Sequence, residues 1–200
     1  MTTLPETAHT SQPWRIHELA HDFRVEDVWA MPTPGGPDDF PRLVEMLATL
    51  DPAHDPDLVV RALFAIRLKI GRLLGWDEPS AADSSIATLR DRLPADLRDA
   101  PAGPGFGDLP FIPLYLLDNE FAAEIANRTM HGVVHLGWVP DGNGGFRGQL
   151  AVLVKRNGLL GAAYMAAIKP FRHLLVYPSM MRRVGRQWQE ATREKHAKGH

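Results

Sequence analysis

The stretch Met130–Lys155, MHGVVHLGWVPDGNGGFRGQLAVLVK, constrains the fold more than any other part of the chain. Side chains alternate faces along a strand, so a two-residue period marks a strand with two different faces. In the first arm Met130, Val134, Leu136 and Trp138 fall on one face, and His131, Val133, His135 and Val139 on the other. The second arm sets Phe146, Leu150, Val152 and Val154 against Arg147, Gln149, Ala151, Leu153 and Lys155. Between the arms, Asp141-Gly142-Asn143-Gly144-Gly145 supplies residues that accept positive φ, as a tight connection requires. The segment therefore predicts a β-hairpin.

Other stretches supply further strands. Trp14–Leu19 alternates and predicts a strand, and Phe23–Ala30 predicts a strand-like edge. Phe111–Leu117 is a short β-type run. Phe121–Arg128 fits two periods: as a helix Phe121, Ala122, Ile125 and Ala126 share a face behind Asp118, whereas as a strand Phe121, Ala123 and Ile125 alternate with Ala122, Glu124 and Ala126. We take the strand, which makes a meander with the hairpin through a turn at Asn127-Arg128-Thr129.

Helical spacing appears in three places. Behind a cap at Asp38 or Asp39, Phe40, Leu43, Val44 and Leu47 lie on one face. A longer helix is predicted from Asp55-Pro56-Asp57 to about Leu74, with Arg61, Arg67, Lys69 and Arg72 at its solvated edge. The C-terminal segment starts after Asn157-Gly158 as an almost wholly apolar run to Ile168, is interrupted at Pro170 and Pro178, and resumes from Met180 to Trp188 with a basic face. The expected fold class is α+β: an antiparallel curved sheet packed against a long C-terminal helix, with two helices inserted after the first strand. One domain over residues 14–188 is expected, with a flexible N-terminus at 1–13 and a flexible tail at 189–200. Residues 77–109, rich in Ala, Asp, Pro and Gly, are expected to form a long lid-like loop with one amphipathic piece, Ile86–Leu93.

Composition excludes some chemistry. Cysteine is absent, which rules out disulfides and thiolate catalysis or ligation. The net charge of −2 gives no global attraction to nucleic acid. No leader pattern opens the chain and no run approaches the roughly 18 apolar residues of a membrane span, so a cytoplasmic location is expected.

His131 and His135 are the leading candidates for chemistry, since imidazole titrates near neutrality and can act as a general acid or base. On one strand they stand roughly 13 Å apart, at about 3.3 Å per residue, too far to share one ion, so no metal site is expected. Glu124 is placed across the sheet near them and supplies a carboxylate to orient a histidine. No serine elbow accompanies these residues, so acyl transfer is unsupported. Gly142–Gly145 is flanked by strands on both sides and is a turn, not a phosphate loop.

The runs Asn127-Arg128-Thr129-Met130-His131-Gly132 and His135-Leu136-Gly137-Trp138, with the closing Tyr164-Met165-Ala166-Ala167-Ile168-Lys169-Pro170-Phe171-Arg172-His173, resemble a bacterial family catalogued only as a domain of unknown function. That resemblance spans Trp14 to about Arg186 and implies no catalytic residues. The order of elements also resembles the helix-grip architecture of the START and Bet v 1-like (SRPBCC) superfamily. It implies a pocket between sheet and C-terminal helix, which Trp138, Tyr115, Tyr164, Lys169, Arg172 and His173 would line. On that reading the chain binds a hydrophobic or amphipathic small molecule, without a cofactor or nucleic acid. The alternatives are an enzyme acting on such a ligand through a histidine, and a peripheral membrane or protein-interaction domain using the base-flanked C-terminal segment.

Overall fold

The computed structural model describes residues 2–49, 88–106, 109–126, 130–156 and 177–198. Elements are numbered among these. The strands are β1 (Thr2–Thr3), β2 (Arg24–Ala30), β3 (Ile112–Leu116), β4 (Glu120–Ala126), β5 (Met130–Pro140) and β6 (Phe146–Arg156). They form one antiparallel sheet in the order β1-β2-β6-β5-β4-β3. The hairpin β5–β6 lies at its centre. Its turn closes through the Asp141 N–H on the Gly145 carbonyl and through Asp141 Oδ1, which accepts the Asn143 and Gly145 N–H groups; Gly142 (φ 83°) and Gly144 (φ 88°) supply the positive φ that the sequence predicts.

Helices cover both faces of this sheet. The face carrying Trp29, Phe121, Leu136, Trp138 and Leu150 packs against α3 (Phe40–Ala48) through Phe40, Leu43, Val44 and Leu47. It also receives Tyr177, Met181, Val184 and Trp188, one stripe of the helix Tyr177–Lys198. The opposite face, carrying Val28, Ala122, Val133, Val139, Ala151 and Leu153, is covered by Trp14, Ile16 and Leu19 and by Leu89, Leu93 and Leu97. These belong to two groups of short elements: α1 (Thr7–Thr10) with α2 (Ile16–Leu19), and the 3-10 turn Leu89–Arg92 with α4 (Ala95–Arg98). The C-terminal helix is thus α5. No helix among the described residues is long and apolar enough to cross a membrane.

Three expectations change. Trp14–Leu19 is a turn followed by a helix, because Ile16 and Leu19 both point into the core at helical spacing, which short alternation imitates. The first residues, expected as a poorly packed terminus, carry structure: β1 pairs with β2, and His9 is fully buried. At the other end α5 runs on to Lys198, past the point where a tail is expected. The described half of the long loop, from Thr88, packs its leucines into the core. The predicted helix ending near Leu74, the run Leu159–Ile168 and the turn at Asn127 lie outside the described residues.

Two register shifts matter. Glu26 is the extra residue between the pairs Val25–Leu153 and Asp27–Val152, and Leu114 between Pro113–Ala123 and Tyr115–Ala122. The second sets Tyr115 opposite Ala122; without it Tyr115 would oppose Phe121 and face α5. The Trp14 ring lies against Gly137, where a Cβ would stand 2.6 Å from the ring. Gly137→Ala is therefore expected to destabilise the fold by about 1–3 kcal/mol, read from the midpoint of urea unfolding.

Candidate functional site

Along β4, Glu120, Ala122 and Glu124 share the face opposite the tryptophans, and both carboxylates are buried. In the β4–β5 register Glu120 opposes Gly137 and Glu124 opposes Val133. Each glutamate therefore meets a histidine diagonally, two residues before its opposed partner on β5. His131 Nε2 lies 2.6 Å from Glu124 Oε2, and His135 Nε2 lies 3.7 Å from Glu120 Oε2.

Each carboxylate also accepts main-chain N–H groups from the covering segments. Glu124 takes those of Leu89 (2.8 Å) and Arg90 (3.3 Å), and Glu120 takes that of Arg15 on both oxygens (3.0 Å each). A buried carboxylate requires such partners, since its desolvation is costly.

The surroundings of the two histidines differ. The His131 ring meets the Phe23 ring edge-on at 4.9 Å between centroids, and Lys155 opposes it on β6. Nearby, Asp22 accepts from Arg92 (2.7 Å) and Lys155 (2.8 Å); Arg92 first, then Lys155, hold its carboxyl well below the usual range. His135 is enclosed. Its Nδ1 shares a hydrogen with His9 Nε2 (3.2 Å), and His9 Nδ1 shares one with His17 Nε2 (3.3 Å). The Trp14 ring stands 5.3 Å from it.

The Trp14 Nε1, Tyr115 hydroxyl and His135 Nε2 atoms are buried and meet no partner at hydrogen-bond geometry among the described residues. Burial, reinforced by the Glu120 carboxylate, pushes the Tyr115 hydroxyl well above its ordinary range. Burial also pushes His9 down to about 3, with the neighbouring His135 and His17 adding to it, and lowers His17. Among the described residues no three His, Cys, Asp or Glu side chains are arranged to hold a metal ion.

The sequence candidates separate accordingly. Glu124 and His131 come together, and His135 belongs to a second cluster. Trp138 is on the tryptophan face between Phe40 and Trp188, its Nε1 donating to the Gly36 carbonyl, whereas Tyr115 is on the histidine face. Tyr164, Lys169, Arg172 and His173 lie outside the described residues. Sequence reasoning missed Glu120, His9, His17 and the histidine-side role of Trp14. Glu120 sits at the strand period from Glu124, a usable signal, but the two N-terminal histidines stand in a polar stretch with no period.

Fold and site together define an α+β domain with one antiparallel sheet and two buried acid–imidazole pairs on one of its faces. Residues 19–179 match the family described as protein of unknown function (DUF2867), and the chain belongs to that family. Both acid–imidazole pairs fall inside the matched span, and His9, Trp14 and His17 precede it. No curated protein and no solved structure matches the chain.

The depressed His9 gives a signed pH dependence. An unfolded histidine takes its proton near pH 6.5, but the folded one only near 3. Between these values the unfolded chain holds more protons, so stability present above pH 6.5 is lost as pH falls through the window, by up to about 1.4 kcal/mol per unit. Urea unfolding at pH 7.5 and pH 5 should show this loss in the wild type and a smaller one in His9→Gln.

Proposed function

We propose that the protein is an enzyme of general acid–base type acting on a small amphipathic molecule, with His131 as the base and Glu124 as the group that orients it. The observation that carries this reading is the 2.6 Å contact between Glu124 Oε2 and His131 Nε2 in a buried setting. A carboxylate has no hydrogen to give, so His131 donates through Nε2, and the neutral ring carries its lone pair on Nδ1. That nitrogen has no partner among the described residues, and His131 retains 6% of its surface. Glu124 cannot swing away, because the Leu89 and Arg90 N–H groups also hold it.

A base so fixed removes a proton from an activated C–H or O–H brought to Nδ1, and returns it as an acid. The neighbours fit an amphipathic substrate: Phe23 offers an apolar surface, and Lys155 and Arg92, two cations sharing the single carboxylate of Asp22, leave a net positive charge for an anionic end. The reading of an apolar ligand between sheet and C-terminal helix has less support, since Trp29, Phe121, Trp138, Tyr177, Met181 and Trp188 fill that interface where it is described.

The test uses 5-nitrobenzisoxazole, an apolar probe whose ring opens on loss of one proton to a general base. We expect turnover by the wild type, with His131→Gln reducing it by about 100-fold or more. Glu124→Gln keeps an acceptor for Leu89 but loses the carboxylate, and should reduce turnover by a smaller factor. Equal turnover in His131→Gln, with the fold intact by circular dichroism, would overturn the assignment.

A further inference from the structure

We infer that His17, His9, His135 and Glu120 form a proton conduit from the surface to a buried carboxylate, and that a proton arriving at Glu120 loosens the N-terminal segment from the sheet. The inference goes beyond the Glu124–His131 reading and does not depend on it.

The three imidazoles are linked nitrogen to nitrogen. His17 Nε2 meets His9 Nδ1 at 3.3 Å, His9 Nε2 meets His135 Nδ1 at 3.2 Å, and His135 Nε2 faces Glu120 Oε2 at 3.7 Å. The carboxylate charge sets the direction we assign: it stands 3.7 Å from His135 Nε2, beyond hydrogen-bond length, and attracts a hydrogen to that nitrogen; His135 Nδ1 then accepts from His9 Nε2–H, and His9 Nδ1 from His17 Nε2–H. All three rings are therefore Nε2–H tautomers. His17 is half-buried, whereas His9 and His135 are enclosed, so the file has one end at the surface.

Transfer balances along this file. A proton from water binds His17 Nδ1, and the His17 Nε2 proton passes to His9 Nδ1. The His9 Nε2 proton passes to His135 Nδ1, and the His135 Nε2 proton crosses to Glu120 Oε2, a gap that a movement of about 1 Å brings to hydrogen-bond length. One proton enters, one rests on the carboxyl, and every ring ends neutral with its tautomer inverted. A concerted shift avoids a lasting cation on His9, which its burial opposes.

The end point is mechanical as well as chemical. Glu120 accepts the Arg15 N–H on both oxygens, immediately before α2, and bonds to a charged carboxylate are about twice as strong as those to a neutral group. Besides the histidines, the groups facing this carboxylate among the described residues are the Tyr115 hydroxyl from β3 and Arg15. The Arg15 guanidinium is itself engaged by Glu18 and Asp96. Glu124 provides an internal comparison, because it holds Leu89 and Arg90 in the same way and its histidine is bonded to no second imidazole among the described residues.

The experiment is NMR on the full chain. At pH 7.5 the side-chain nitrogens of His9, His17 and His135 should report Nε2–H tautomers. The His135 Nε2 hydrogen should exchange with water despite its burial, and His17→Phe should slow that exchange at least tenfold. Between pH 7.5 and 4.5 the protection factor of the Arg15 amide should fall at least tenfold more than that of the Leu89 amide, and Glu120→Gln should abolish this difference. An Nδ1–H tautomer at His9, unchanged exchange in His17→Phe, or the same fall in Glu120→Gln would overturn the inference. Leu89 protection in every variant separates these outcomes from general unfolding.

Discussion

Two buried carboxylates on one strand dictate how half of this molecule is assembled. Glu120 and Glu124 point from β4 into the core, where an unsatisfied charge is costly. Strand neighbours have committed their main-chain N–H groups to the ladder, so the carboxylates draw donors from outside the sheet. Those donors are the N–H groups of Arg15, Leu89 and Arg90. Each lies at the start of a short helical turn, where N–H groups have no intrahelical acceptor. The need of the carboxylates and the need of the turns are met by the same bonds. This fixes two segments far apart in sequence on one face, and Ile16, Leu19, Leu89, Leu93 and Leu97 then close over the apolar residues between them.

The other face follows a different principle. It is filled by aromatic rings whose polar atoms are returned to the main chain: Trp138 Nε1 donates to Gly36, and Trp188 Nε1 to Pro34. Arg42 stacks 4.3 Å from the centroid of the Trp188 ring and donates to its carbonyl, which ties α3 to α5. Such packing leaves little freedom for β4 and β5 to shift. Because each acid–imidazole pair spans these two strands, its geometry is set by the sheet and its aromatic support rather than by a loop.

Much of this was legible in the sequence, and the exceptions have physical causes. The two-residue period placed β4, β5 and β6 and put Glu124 on the side of His131, because alternation in a long strand leaves one choice of face. It could not place Tyr115, since Phe111–Leu117 carries no alternation and a single extra residue at Leu114 reverses the side to which the following side chain points. It failed at Trp14–Leu19, where six residues are too few to separate a strand from a helical turn. The N-terminal histidines were invisible for another reason. His9 is held by ring-to-ring hydrogen bonds to His17, eight residues on across an irregular stretch, and to His135, 126 residues on, and neither spacing leaves a local pattern.

The fold thus contains one acid–imidazole arrangement twice, four residues apart along β4, and what separates the copies is the outer ring nitrogen. In both, the glutamate faces Nε2 and a main-chain N–H secures the carboxylate. At His131 the outer nitrogen has no hydrogen-bond partner among the described residues, which on the proposed reading leaves its lone pair for a molecule from outside. At His135 the same nitrogen is occupied by His9, which is occupied in turn by His17, so a lone pair there can receive only a proton passed along the file. A base needs a substrate within reach, and a relay needs neighbours that exclude one. On the two proposals, the pairing on the sheet, at 2.6 Å in one copy and 3.7 Å in the other, serves chemistry at one position and proton transfer at the other, and the N-terminal segment, which reaches His135 through His9, makes the difference.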